Sequence, residues 1–425
     1  MPLTAEIVLL CDKLLIIEVL IPVNMTKPRV THTLLTLSLL LLTMSVFAVP
    51  DSLTLKWAYQ TDGRLFGSAY FYDGTVFFGS EDKNIYAVDS QTGVARWTFE
   101  TTGGLYSSPV VSDGALFMLS MDGFFYAVDA ETGKLRWKFK TGGERKQDLW
   151  DYNLSDAVVN NGKVYFGSSD QHIYALDAAD GRLIWKFKTG DMVHATPVIQ
   201  HDTLYVGGFD GFLYALNATT GHLLWKFRSV GDVYFPKGEF QKGVLFHDNT
   251  LYAGSRDFNI YALDPKTGRG KWNMKEYGSW IIATPSAYGN KLYFGTSDTH
   301  VFYALDAADG RVQWKIPLNM RVYGSAVADG SLIYFGSFNG KLYGVDSETG
   351  AIKKIFQSIG SKLNYARVFA ADDHFKAGFS LYGDDTDASE QQILALGGFV
   401  NTPLLQNGTL YVGSTDGRLY AIAAD

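Results

Sequence analysis

Apolar and polar positions alternate along most of this chain in short runs separated by turn residues. Residues 163–187, KVYFGSSDQHIYALDAADGRLIWKF, are typical: three runs rich in Tyr, Phe, Val, Ile and Leu, broken by two turns. That is the pattern of β-strands joined by hairpins. The first turn carries an acid or Asn four residues before a tyrosine, at Asp82, Asp122, Asp170, Asp210, Asp257, Asn339 and Asp416. The second ends on a glycine, at Gly93, Gly133, Gly181, Gly221, Gly268, Gly310 and Gly350. A tight hairpin needs positive φ there, and an Asp side chain can bond the backbone of its own turn. A further short run, such as residues 195–200 (ATPVIQ), supplies a fourth strand, expected to lie innermost.

The unit repeats. Each of Tyr86, Tyr126, Tyr174, Tyr214, Tyr261 and Tyr303 is followed eleven residues later by a tryptophan: Trp97, Trp137, Trp185, Trp225, Trp272 and Trp314. Tyr343 keeps the interval, but Lys354 stands in the tryptophan place. Tyr420 opens an eighth unit whose partner is Trp57, because Trp57 precedes Tyr86 by 29 residues, the interval that also separates Trp97 from Tyr126. Strand-rich units with a period of about 40 residues read as propeller blades. The expected fold is therefore all-β: an eight-bladed β-propeller of four-stranded antiparallel blades, closed by the N-terminal strand 53–59 pairing into the last blade. Closure removes raw sheet edges. Trp57, Trp97, Trp137, Trp185, Trp225, Trp272 and Trp314 are expected to dock between neighbouring blades, as structure rather than chemistry.

Composition narrows the setting. The chain is 47% hydrophobic and 19% charged, ordinary for a globular protein. Its net charge of −7 offers no broad basic surface to nucleic acid. Residues 1–48 read as an address. Lys27 and Arg29 precede an apolar run at 34–47 that ends in SVFA, with Val46 and Ala48 at the small-residue positions of a signal-peptidase site. That run is shorter than the roughly 20 residues of a membrane helix; an uncleaved anchor is the alternative. The stretch before Met25 carries Glu6, Asp12 and Glu18, unlike a basic leader, so Met25 is the candidate start. The only cysteine, Cys11, falls in this region, leaving residues 49–425 as one domain without a disulfide, thiolate nucleophile or lipid-bearing cysteine. The expectation is a monomer that is exported, periplasmic or secreted, without a lipid anchor.

The strings YAVDAETGKLRW (126–137) and YALDPKTGRGKW (261–272) resemble the tryptophan-docking repeat of PQQ-type, or quinoprotein-like, propellers, and the likeness covers residues 53–425. Two branches follow from that resemblance. Quinoprotein alcohol dehydrogenases imply PQQ, calcium, an adjacent cysteine pair and long inserted loops; this chain has no such pair and mostly minimal blades. The BamB-like, non-enzymatic branch implies a protein-binding or assembly role in the cell envelope, although the lipid-bearing cysteine is missing.

Function is sought where blades depart from the minimum. Extra residues fall between Trp137 and Tyr174, Trp225 and Tyr261, Trp272 and Tyr303, and Lys354 and Tyr420, all in segments that decorate one face. The first (141–153) contains Arg145, Trp150 and Tyr152; the second (230–243) contains Tyr234 and Phe235; the third contains Trp280. Arg321 and Tyr323 hold the matching place in a blade without extra length, and His194 replaces Tyr106 at the corresponding point of its repeat. The long insertion, about 358–398, contributes Tyr365 and Arg367. Mixed Trp, Tyr and Arg on loops suits a protein-binding surface or an aromatic-lined small-ligand channel; the alternative is that these side chains fold inward and pack their own loops. Asp384, Asp385 and Asp387 are the carboxylates a calcium ion would want, against the reading of an acidic surface loop. His374 beside Asp372 and Asp373 lacks a nearby nucleophile. No zinc motif, nucleophile elbow or phosphate loop is present.

These observations lead to an exported, non-catalytic propeller that binds a cell-envelope protein, with no cofactor and no metal expected. The alternatives are a PQQ- and calcium-dependent dehydrogenase, and a binder of a small sugar or peptide in the central channel.

Overall fold

The computed structural model describes residues 50–383 and 385–424. The expected leader within residues 1–48, with Met25 and Cys11, lies outside the described residues, as does Asp384. Eight sheets follow one another along the chain, each with four antiparallel strands, drawn from its own unit in the first seven. The fourth blade is representative: Val198–Gln200 innermost, then Thr203–Gly207, Phe212–Asn217 and Leu223–Arg228 outermost. Neighbouring inner strands touch, and Tyr70–Tyr72 of the first blade meets Leu404–Gln406 of the eighth, so the ring is closed. The clasp is Leu55–Gln60, which pairs antiparallel with Arg418–Ala423.

The repeated residues hold adjacent blades together. Each outer strand carries a bulge just before its tryptophan; in the fourth blade Leu223 pairs with Leu216 and Trp225 with Ala215, leaving Leu224 extra. Such a bulge re-aims the side chain. The indole then lies on the glycine of the next blade's turn. At Gly221, φ is +73° and an added Cβ would stand 2.7 Å from Trp185 Cδ2, so only glycine fits. The indole nitrogen donates to a carbonyl beyond: Trp185 Nε1 to Ala218 O at 2.9 Å, and likewise from Trp57, Trp97, Trp137, Trp225, Trp272 and Trp314. On the opposite edge, the first-turn acid accepts the tyrosine hydroxyl of its own blade and a backbone N–H of the preceding one. Asp210 takes Tyr214 Oη at 2.5 Å and Gly190 N at 2.7 Å.

Lys354 has a structural reason. The eighth blade takes its outer strand from the N-terminus, so the hairpin turn and glycine that would receive an indole from the seventh blade do not exist there. Lys354 Nζ instead donates to Ala424 O at 2.9 Å, the carbonyl equivalent to Ala218 O. The seventh sheet also gains a fifth strand that the repeat did not announce: Asp51–Ser52 lies parallel on Ile352–Gln357. Leu53, buried, follows it and donates its N–H to Ile355 O at 3.0 Å. The chain thus crosses the blade 7–8 junction before closing blade 8.

Candidate functional site

All long connections run from an outer strand to the next inner strand and converge over one end of the channel. Just inside, eight equivalent positions lie two residues ahead of the inner strands: Ser68, Ser108, Asp156, Thr196, Gly243, Thr284, Ser325 and Thr402. They form a polar collar around a cavity of about 60 Å³, room for a few waters. Collar residues bond in sequence: Ser68 N to Ser108 Oγ at 2.9 Å, Ser108 N to Asp156 Oδ1 at 2.5 Å, and Thr402 N to Ser68 Oγ at 3.0 Å. Lys242 is the cation of this collar, donating to Tyr323 O at 2.9 Å. Burial lowers its pKa to about 8, against the pull of Asp156 and Asp151, and burial raises that of Asp156.

Aromatic side chains roof the collar. Phe66 stacks on Tyr106 and Tyr152 with centroids 5.1 and 4.9 Å away, and Tyr323 meets Phe338 edge-on at 4.7 Å. Tyr152 donates to Glu390 from the long insertion. Burial and this carboxylate push the Tyr152 phenol well above its usual range. Arg321, with no exposed surface, lies 4.1 Å over Trp150 and bonds Asp298 Oδ1 at 2.6 Å and the Tyr382 hydroxyl. Arg256 repeats the arrangement, 4.3 Å over Trp280, with Asp148 Oδ2 at 2.6 Å and Gln241 Oε1 at 2.9 Å. Phe235 meets Trp280 edge-on at 4.9 Å. The three decorated loops and the insertion are therefore stitched to one another.

His194 takes part in an arrangement with the outline of a nucleophile triad. Its Nδ1 lies 2.9 Å from Asp151 Oδ2, out of line with the ring N–H, and its Nε2 lies 2.7 Å from Ser169 Oγ. Charge from His194 and several hydrogen bonds keep Asp151 below the usual carboxylate range despite burial. The His194 and Asp151 side chains have no exposed surface. Ser169 N, the nearest backbone donor an oxyanion would need, is already bonded to Glu144 Oε2 at 2.8 Å. The trio anchors loop 141–153 to blades three and four.

Of the eleven residues singled out from the sequence, Trp150, Tyr152, His194, Arg321 and Tyr323 are buried. The cation–π and carboxylate contacts of Trp150, Tyr152 and Arg321 are made within the chain. Trp280, Phe235 and Tyr365 are half-buried, and Arg145 and Arg367 are exposed. Tyr365 Oη donates to Asp373 Oδ1 at 2.9 Å, and Arg367 lies in the last turn of its helix. Tyr234 is 77% exposed, beside Val233 at 84% and Val230 at 72%, and Tyr277 is 83% exposed. Lys275 bridges these two loops, bonding Asp232 Oδ2 at 2.9 Å and lying 5.9 Å from the Tyr277 ring. The apolar patch they form spans blades four to six of the loop-rich face. Val233 and Tyr277 lie in connections that the spacing marks, but nothing in the sequence separates an exposed valine or tyrosine there from one packed inward.

The insertion is not an acidic loop. It folds as two helices, α1 (Ile359–Val368) and α2 (Thr386–Leu394). Ser358 caps α1, and Asp385 caps α2 by accepting Ala388 N at 2.9 Å; Asp387 sits in the first turn. Carboxylates there are favoured by the unpaired N–H groups and the helix dipole, which accounts for the acidic run. Among the described residues, no group of three His, Cys, Asp or Glu side chains is placed to hold a metal ion, and no helix is long and apolar enough to cross a membrane.

Comparison with known proteins agrees with this architecture. A family model described as outer membrane protein assembly factor BamB matches residues 51–149, 146–236 and 210–355. Among solved structures, BamB from Moraxella catarrhalis is similar over 87% of this chain and 99% of its own, at 18% identity and a TM-score of 0.66. A quinohemoprotein alcohol dehydrogenase from Comamonas testosteroni is similar over 88% of this chain and 77% of its own, at 13% identity and a TM-score of 0.68. The computationally designed Ika8 protein covers 88% of this chain and all of its own, at 14% identity and a TM-score of 0.63. At such identities the structures share the fold alone, and a comparison with curated proteins finds no significant match. The family match spans most of the repeat, and on that ground the chain belongs to the BamB family of PQQ-like propellers.

Proposed function

We propose that this chain is an exported, non-catalytic platform that docks a protein of the cell envelope through its loop-rich face. The observation that carries the reading is the patch of Val230, Val233, Tyr234 and Tyr277, four large apolar side chains between 72% and 84% exposed on adjacent loops. Aromatic anchors on a rigid frame are what a protein interface uses, because little conformational entropy is lost on binding. The stitched Arg256–Trp280–Phe235 contacts supply that frame.

The quinoprotein reading is less well supported. What weighs against it is the size of the channel cavity, since a tricyclic quinone needs a site of roughly 300 Å³ or more. The collar cavity measures about 60 Å³, and Trp150, Tyr152 and Tyr323 fill the space above it.

Site-directed photo-crosslinking in cells tests the proposal. A crosslinker replacing Tyr234 is expected to give an adduct with one defined envelope protein. The same group at Val94, on a turn of the opposite face and 64% exposed, is expected to give none. Equal adducts from both positions, or none from position 234, would overturn the assignment.

A further inference from the structure

The segment between α1 and α2 builds a second concave site, away from the channel. Residues 372–375 border an open pocket of about 470 Å³ at the junction of blades six and seven, within the range of small-molecule sites. Leu318, Tyr343, Ile352 and Ile355 line it with apolar surface. The wall is firm: Phe375 stacks on Phe369 at 5.3 Å and packs on Phe379 at 5.1 Å, and Phe369 and Phe375 form a β-bridge.

The polar groups are unevenly signed. Asp372 and Asp373 both line the pocket, against one lysine, Lys341. Lys341 is already engaged, 3.0 Å from Tyr365 Oη and 3.6 Å from Asp373, so the lining retains a negative charge. Asp372 has 70% of its side chain exposed, and the still more exposed His374 ring lies 3.5 Å away. His300, facing the same pocket, keeps a buried Nε2 with no hydrogen-bond partner among the described residues. Burial and the nearby Arg321 charge lower its pKa to about 4, partly opposed by Asp298; at neutral pH the ring is therefore uncharged and adds no positive charge to the lining.

We propose that this pocket binds a small organic cation: a primary amine on an aromatic or aliphatic body, its ammonium held by Asp372, the carboxylate of the lining that has no lysine or tyrosine contact. The apolar lining takes the body of the ligand, and Asp372 selects its charge. This assignment is independent of the docking patch on blades four to six.

Calorimetry with the purified chain at neutral pH tests it, using tyramine, its uncharged analogue tyrosol, and the anion 4-hydroxyphenylacetate. Tyramine is expected to bind saturably, at least ~10-fold more tightly than tyrosol, with no binding of the anion, because each 1.4 kcal/mol of charge complementarity is tenfold. Leu318→Trp, which fills the pocket, is expected to abolish binding. Asp372→Asn, at an exposed site that folding does not need, is expected to weaken it by about fivefold. No saturable tyramine binding up to about 10 mM, equal affinity for tyrosol, or unchanged binding in Asp372→Asn would overturn the proposal.

Discussion

The outer belt and the loop-rich face of this propeller use the same residue types for different ends. In the belt, each tryptophan has one partner set, the glycine and carbonyl of the next blade, repeated in seven places. On the face, Trp150 and Trp280 lie under buried arginines in contacts that occur once each. The belt is read from spacing because its geometry is periodic. The face is not, because its contacts join segments far apart in sequence, such as Tyr152 with Glu390 and Arg256 with Asp148. A repeat supplies a frame, and the departures from it supply the surface on which binding is built.

Breaking the belt gives the largest effect. Trp185→Ala removes a buried indole and its bond to Ala218 O, and is expected to cost roughly 3–5 kcal/mol, read from the denaturant midpoint. A smaller loss is expected where lysine stands in the tryptophan place of the belt. Lys354→Met keeps the aliphatic stem but loses the bond to Ala424 O; about 1 kcal/mol is expected, and a loss as large as that of Trp185→Ala would show that the clasp depends on this lysine.

Acid sensitivity is a smaller effect on the loop-rich side. His300 has a folded pKa of about 4, below the roughly 6.5 of an unfolded chain. As pH falls through this window the unfolded state takes the proton first, so stability is present above about 6.5 and declines toward 4. His300→Asn is expected to flatten that part of the pH–stability curve; an unchanged slope would remove His300 from the account. The smallest effect on stability is expected at the exposed patch. Tyr234→Ser should shift unfolding by under about 0.5 kcal/mol while removing the envelope-protein adduct from a crosslinker placed at neighbouring Tyr277. A large stability loss would mean that Tyr234 belongs to the frame.

Much of the frame was legible. The Tyr–Trp interval located the blades, and the 29-residue interval before Tyr86 placed Trp57 in the clasp. Lys354 marked a real departure, but its cause, the absent turn in blade eight, depends on which strand closes which sheet. The two-residue strand at Asp51 was too short to carry any alternation. At the face, the sequence marked the long loops and could not separate inward from outward side chains: Trp150 and Arg321 turned in, Tyr234 turned out. The acids at 385 and 387 were visible as charge, yet their role as a helix start depends on the apolar positions that follow in α2, where Ile393 and Leu394 are buried.

The central claim is that the repeat acts here as a frame and not as a quinone site. Its most direct test is a titration of the purified chain with PQQ, with and without Ca²⁺, followed by tryptophan fluorescence. The account predicts no saturable change across micromolar quinone, since the collar cavity of about 60 Å³ lies beneath a filled aromatic roof. Saturable, calcium-dependent quenching at one equivalent would contradict it and make alcohol oxidation the activity to measure.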